Sequence, residues 1–239
     1  MDDKRVNIVV PICFIESFLG PKGIDDERNV ISLHGGIRPS NRILGLAGAP
    51  TPVHDFMQVV HGDQNTYVIY TDDEHEDNPN DPAIEAHFSI FGRHAVVGTQ
   101  GAEPVGSLGE FHDLRRSQRI TTDVLNLATH PPVVEAITSI IDENEITNPS
   151  QVRFLVLGGL TDVLVADLAK GLNHICGIPN PTRKEGERWD FFGNVGVAAN
   201  YCFSNLPSDH DAALRSMGKV AINIFRTNEE AFNFLGIDA

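Results

Sequence analysis

The sequence predicts an α/β domain in three layers, a mostly parallel sheet with helices on both faces. Three observations carry this expectation. Apolar runs rich in β-branched residues alternate with amphipathic or loop-like stretches along the whole chain, the pattern of strands linked by covering helices. The runs are continuous rather than alternating in polarity, as befits strands buried on both sides. Finally, 239 residues with 41% hydrophobic content suffice for one sizeable core. No internal repeat or linker divides residues 1–239, so a single domain is expected.

Residues 6–14 read as a buried first strand and residues 66–70 as a second, followed at once by acidic residues; residues 94–97 are a short third candidate. Over 131–143, Val133, Val134, Ile137, Ile140 and Ile141 share one helical face, with proline near the start. Residues 152–157 form a central strand that runs through Gly158-Gly159 into a helix over 162–175, striped by Leu164, Leu168, Leu172 and Ile175. The segments 195–203, 208–217, 220–225 and 228–235 repeat strand, helix, strand, helix. In such a sheet ligands bind beyond the carboxyl ends of the strands. Two stretches near 20–52 and 177–189, rich in Gly, Pro or basic residues, break the rhythm and read as long surface loops. Loops of that length are commonly lids or subunit contacts, and a homo-oligomer with a small-molecule ligand is expected.

The formal charge of −15 argues against nucleic acid or an anionic membrane surface as partner. The longest apolar stretches are too short to span a bilayer. Asp2 and Asp3, with no small-residue cleavage site, argue against a signal peptide despite Lys4 and Arg5. Cys13, Cys176 and Cys202 form no CxxC pair and no even-numbered framework; a reducing, cytoplasmic compartment is the expectation.

Chemistry gathers first after the second strand, where Thr71-Asp72-Asp73-Glu74-His75 is followed later by His94 and by Gly98-Thr99-Gln100-Gly101-Ala102-Glu103. Asp73 and His75, two residues apart in extended chain, point to the same side. An imidazole from a neighbouring loop completes a set of three donors suited to zinc, iron or manganese. The plain alternative is a solvated acidic loop over 72–81.

These segments resemble the isochorismatase–nicotinamidase superfamily, in which nicotinamidases carry T-x-D-x-H after a strand and then H-C-V-x-G-T-x-G-A-E. The resemblance implies Asp73, His75 and His94 as ligands of a divalent metal. It also implies a nucleophile elbow of the form G-x-x-T-(D/N/E)-x-C-V, where a sharp turn lifts a thiol above the sheet at a helix N-terminus. Gly158-Gly159-Leu160-Thr161-Asp162-Val163-Leu164-Val165 matches without a gap, but Leu164 stands where the cysteine should be. Leu160, Thr161 and Leu164 would line the elbow and its oxyanion loop.

The other two family positions differ as well. Counting back from Phe18, the position of the general base holds Cys13. No lysine occurs between His94 and Gly158; Thr122 falls near its expected place, and Arg115, Arg116 and Arg119 are the nearest cations. Cys202, in a segment like G-V-A-T-N-Y-C-V, is a rival nucleophile, but no immediate helix follows it, while His210, Ala213 and Leu214 match a later H-x-x-A-L helix of the family. The resemblance covers most of the chain.

Two functional readings follow. In the first, the chain is a superfamily member without the Asp/Lys/Cys amidase triad, non-catalytic or altered in activity, and kept as a binding protein or subunit partner. In the second, a metal held by Asp73, His75 and His94 activates water in the same cavity, since isochorismatases hydrolyse without the cysteine. Cys13 reads as a small core residue.

Overall fold

The computed structural model describes residues 5–19, 52–78, 80–174, 191–204 and 206–238. Its strands are β1 (Val6–Ile12), β2 (Thr66–Asp73), β3 (Ser117–Thr122), β4 (Val152–Gly158), β5 (Val195–Ala198) and β6 (Asn223–Phe225). They form one six-stranded sheet in the order β3-β2-β1-β4-β5-β6, with every pairing parallel. Helices α1 (Glu16–Leu19), α2 (Pro52–Gly62), α3 (Pro82–Phe91), α4 (Pro131–Glu143), α5 (Ala166–His174), α6 (Pro207–Gly218) and α7 (Asn228–Leu235) connect them. All seven residues of β1 are buried, so both faces of the sheet are covered at its centre, as its unbroken apolar run requires.

The helical stripe of α4 buries Val133, Ile137, Ile140 and Ile141. Helix α7 starts with a full capping box, Thr227 accepting from the Glu230 amide while Glu230 caps in return, and stops at Gly236 in the left-handed conformation. Phe56 of α2 stacks on Phe232 of α7, centroids 5.0 Å apart, joining those two helices into one layer.

Several boundaries differ from the sequence expectations. The first strand ends at Ile12, because Cys13 turns the chain with φ 54. Residues 94–97 are no strand: Val96 makes only an isolated bridge to His75. The strand beside β2 is instead β3, at the sheet edge, where Ile120 and Thr122 are the only buried residues of Ser-Gln-Arg-Ile-Thr-Thr. An edge strand with so little to bury carries a weak hydrophobic signal. The strand expected over 195–203 stops at Ala198 and passes into a 3-10 turn, Ala199–Tyr201. The helix expected from 162 opens as a π turn, Thr161–Val165, before α5 begins. Helices α2 and α3 were not anticipated. The loops expected near 20–52 and 177–189 lie outside the described residues, apart from Pro52, which opens α2. No helix among the described residues is long and apolar enough to cross a membrane.

Candidate functional site

The carboxyl end of β2 divides its side chains between two faces by strand alternation. Asp72 turns to one side, where Arg119 donates to it at 2.8 Å and also reaches the Ala102 carbonyl at 3.0 Å. Burial pushes the Asp72 carboxyl up, Arg119 pulls it back, and the result is about 6. Asp73 turns to the other side. Beyond it His75 pairs with the loop after α3, its amide donating to Ala95 and its carbonyl accepting from Val97. That two-bond bridge places His94 beside β2.

The Asp73 carboxylate lies between two imidazoles, with Oδ1 3.0 Å from His75 Nε2 and Oδ2 2.8 Å from His94 Nε2. The histidines are 1% and 2% exposed. His94 Nδ1 sits 2.7 Å from the Gly92 carbonyl, which can only accept, so Nδ1 carries the proton. In the neutral ring, Nε2 then presents a lone pair to a carboxylate, an arrangement that calls for a cation between them. His75 points the same way: although Nε2 is close to Asp73, neither ring nitrogen makes a hydrogen bond. A deeply buried imidazole with both nitrogens unbonded is costly without a partner. The residues therefore fit a divalent ion.

A fourth side chain that sequence reasoning missed joins them. His87 of α3 stands with its ring centroid 4.3 Å from that of His75 and 5.2 Å from that of His94. One donor atom from each of Asp73, His75, His87 and His94 lies within 4.8 Å of all the others. A signal was present, since Asp81-Pro82 is a helix start: Asp81 accepts from the Ala83 amide, with Pro82 in the first turn.

At the β4 end the other positions are occupied differently. Gly158, with φ +113, lies so close to β1 that a Cβ there would stand 2.0 Å from the Ile12 carbonyl oxygen. Leu160, Thr161 and Leu164 are all buried, and the Thr161 amide is taken up by the Phe203 carbonyl at 2.7 Å. The Thr161 hydroxyl also donates to that carbonyl and contacts His210 Nδ1 at 2.9 Å. A Cβ on Gly159 would meet the Phe203 ring at 2.1 Å. Phe203 in turn lies against Phe14 and Phe18, and Phe18 meets His94 edge-on at 5.4 Å. Buried aromatic rings thus run from the elbow glycine to the histidines.

Cys13 follows β1 and Thr122 ends β3, on either side of β2. Burial, and then the charges of Asp73 and Asp72, push the Cys13 thiol well up, which disfavours a thiolate. Thr122 pairs with Asp73 across the sheet and caps the Val124 amide. Of the nearby arginines, Arg115 is exposed, Arg116 lies over the Tyr67 ring and Arg119 is bound to Asp72. Cys202 is buried, its thiol donating to the Ala198 carbonyl.

With strand order, elbow and histidine cluster in place, the architecture is that of the isochorismatase-like hydrolases and nicotinamidases. The isochorismatase-like hydrolase of Alkaliphilus metalliredigens superposes with a TM-score of 0.57 at 13% identity, over 95% of this chain and 98% of that one. The pyrazinamidase/nicotinamidase of Streptococcus mutans gives 0.59 at 17% identity, over 92% and 99%. The Pyrococcus horikoshii pyrazinamidase, in complex with zinc, gives 0.53 at 17% identity, also over 92% and 99%. The sequence matches no family model and no curated protein.

Proposed function

We propose that this chain binds a divalent metal through Asp73, His75 and His94 and does not perform thiol-dependent amide hydrolysis. The observation that carries the metal is the Asp73 carboxylate within 3.0 Å of two buried imidazole nitrogens, with both His75 ring nitrogens left without a hydrogen bond. Zinc in a pyrazinamidase of the same fold supports it; manganese and iron suit the same donors. When bound, such an ion supplies Lewis-acid polarisation of a donor placed against it.

The chain's own residues argue against the thiol route. Leu164 has no lone pair with which to attack, Cys13 is held protonated, and Thr122 cannot supply the positive charge of a lysine. A non-catalytic binding protein is therefore the first reading. Metal-dependent hydrolysis of a small molecule is the second, favoured by the observation that three protein ligands leave coordination positions over. Elemental analysis of the purified protein tests the metal directly. About one zinc, manganese or iron per chain is expected, removable by a chelator; a chain purified in metal-containing buffer that retains none would contradict it.

A further inference from the structure

Helix α3 is unusual in this domain. Its sequence, Pro-Ala-Ile-Glu-Ala-His-Phe-Ser-Ile-Phe, is largely apolar, yet none of its residues is fully buried, and Ile90 is 73% exposed. Tertiary burial normally supplies most of a short helix's stability. Among the described residues its ties to the body run mainly through the histidine cluster: Phe88 lies 5.4 Å from His75 and 6.0 Å from His94, and His87 packs on both. An ion pair between Arg93 and Asp77 flanks the helix, half-exposed, and such pairs contribute little.

His87 Nε2 comes 3.5 Å from His94 Nε2. That is the limit of a hydrogen bond and about the separation of two ligands on a tetrahedral zinc, given metal–nitrogen bonds of roughly 2.0–2.1 Å. We propose that His87 is the fourth protein ligand, and that the metal latches α3 onto the end of β2. This rests on the metal reading above and goes beyond it: the site is closed by a helix that buries none of its own residues. The ion would tie α3 to the end of β2, so the order of α3 is coupled to metal occupancy. With His87 bound, four protein donors would close the site, and without it three would remain.

Hydrogen exchange of residues 80–92 in the full chain, metal-free and zinc-loaded, tests the latch. The native chain and the variants His87→Ala and His87→Phe are compared; phenylalanine keeps a ring against Phe91 and His75 but has no donor nitrogen. Zinc is expected to slow exchange across α3 about tenfold or more in the native chain and to have no such effect in either variant. Both variants should still bind zinc through the remaining three ligands, with affinity lowered by at least the roughly 10–100-fold that loss of a supporting contact costs. In the cobalt-loaded native chain the visible absorption should have the intensity of a four-coordinate site and should weaken in both variants. Zinc binding that is unchanged in His87→Ala, or zinc-dependent protection that persists in His87→Phe, would overturn the latch and leave the three-ligand site standing. Failure of the native chain to bind zinc at all would overturn both.

Discussion

The two strands that flank β1 end in opposite ways. The end of β2 keeps a carboxylate and imidazoles whose polar atoms lie close together in a buried space. The end of β4 makes a sharp glycine turn into a helix, where Leu164 is buried and Gly159 is covered by the Phe203 ring. Backbone geometry and site chemistry are separable: the turn persists because β1 and β4 need it to pack, whatever side chain follows it.

The sharpest way to break this comparison is to perturb the turn. Gly158→Ala forces a Cβ into the Ile12 backbone at a φ that L-residues avoid, so a loss of roughly 4 kcal/mol or more is expected. Denaturant unfolding that moves only slightly would show that the elbow is not a packing element. Leu164→Ala should cost about 2–4 kcal/mol as a core truncation. If Leu164 instead faced a working cavity, the substitution would be nearly neutral. With either protein, mass spectrometry after incubation with nicotinamide should find no acyl adduct on Cys202, which is buried and hydrogen-bonded. An adduct there would restore the thiol route.

The sequence made the central sheet and the β4 elbow readable because both are dense in local signal: unbroken apolar runs, paired glycines, a helical leucine stripe. The edge strand β3 carries little signal because it buries so little, and the short 94–97 run reads as a strand because periodicity cannot separate one bridge from a ladder. At the site, Asp73, His75 and His94 stood out by their spacing. His87 did not, since α3 has no amphipathic stripe to mark it, although the Asp81-Pro82 start was there to be read.

A smaller effect distinguishes the two faces of β2. Behind the sheet, His61 donates to or accepts from the Tyr70 hydroxyl at 2.9 Å, and the His112 ring lies 4.3 Å from that of Tyr70. Burial is the leading cause that lowers both imidazoles from 6.5 to about 4, with the Arg119 charge adding to it at His112. In the unfolded chain they take up protons below about 6.5, and in the folded chain only near 4. The unfolded state therefore binds more protons in that window, and stability is lost as pH falls through it. Asp72, raised to about 6, acts in the opposite sense and offsets part of this. Urea midpoints at pH 7.5 and pH 4.5 should differ more for the native chain than for His61→Gln; equal differences would place the acid sensitivity elsewhere.

Titration of metal-free protein with zinc or manganese, beside a His75→Ala/His94→Ala double variant, asks most directly whether the β2 end is a metal centre. The native chain should take up one ion with an affinity that falls as pH drops into the range where imidazoles bind protons, and the double variant should lose that binding. Equal binding by the two proteins would contradict the site.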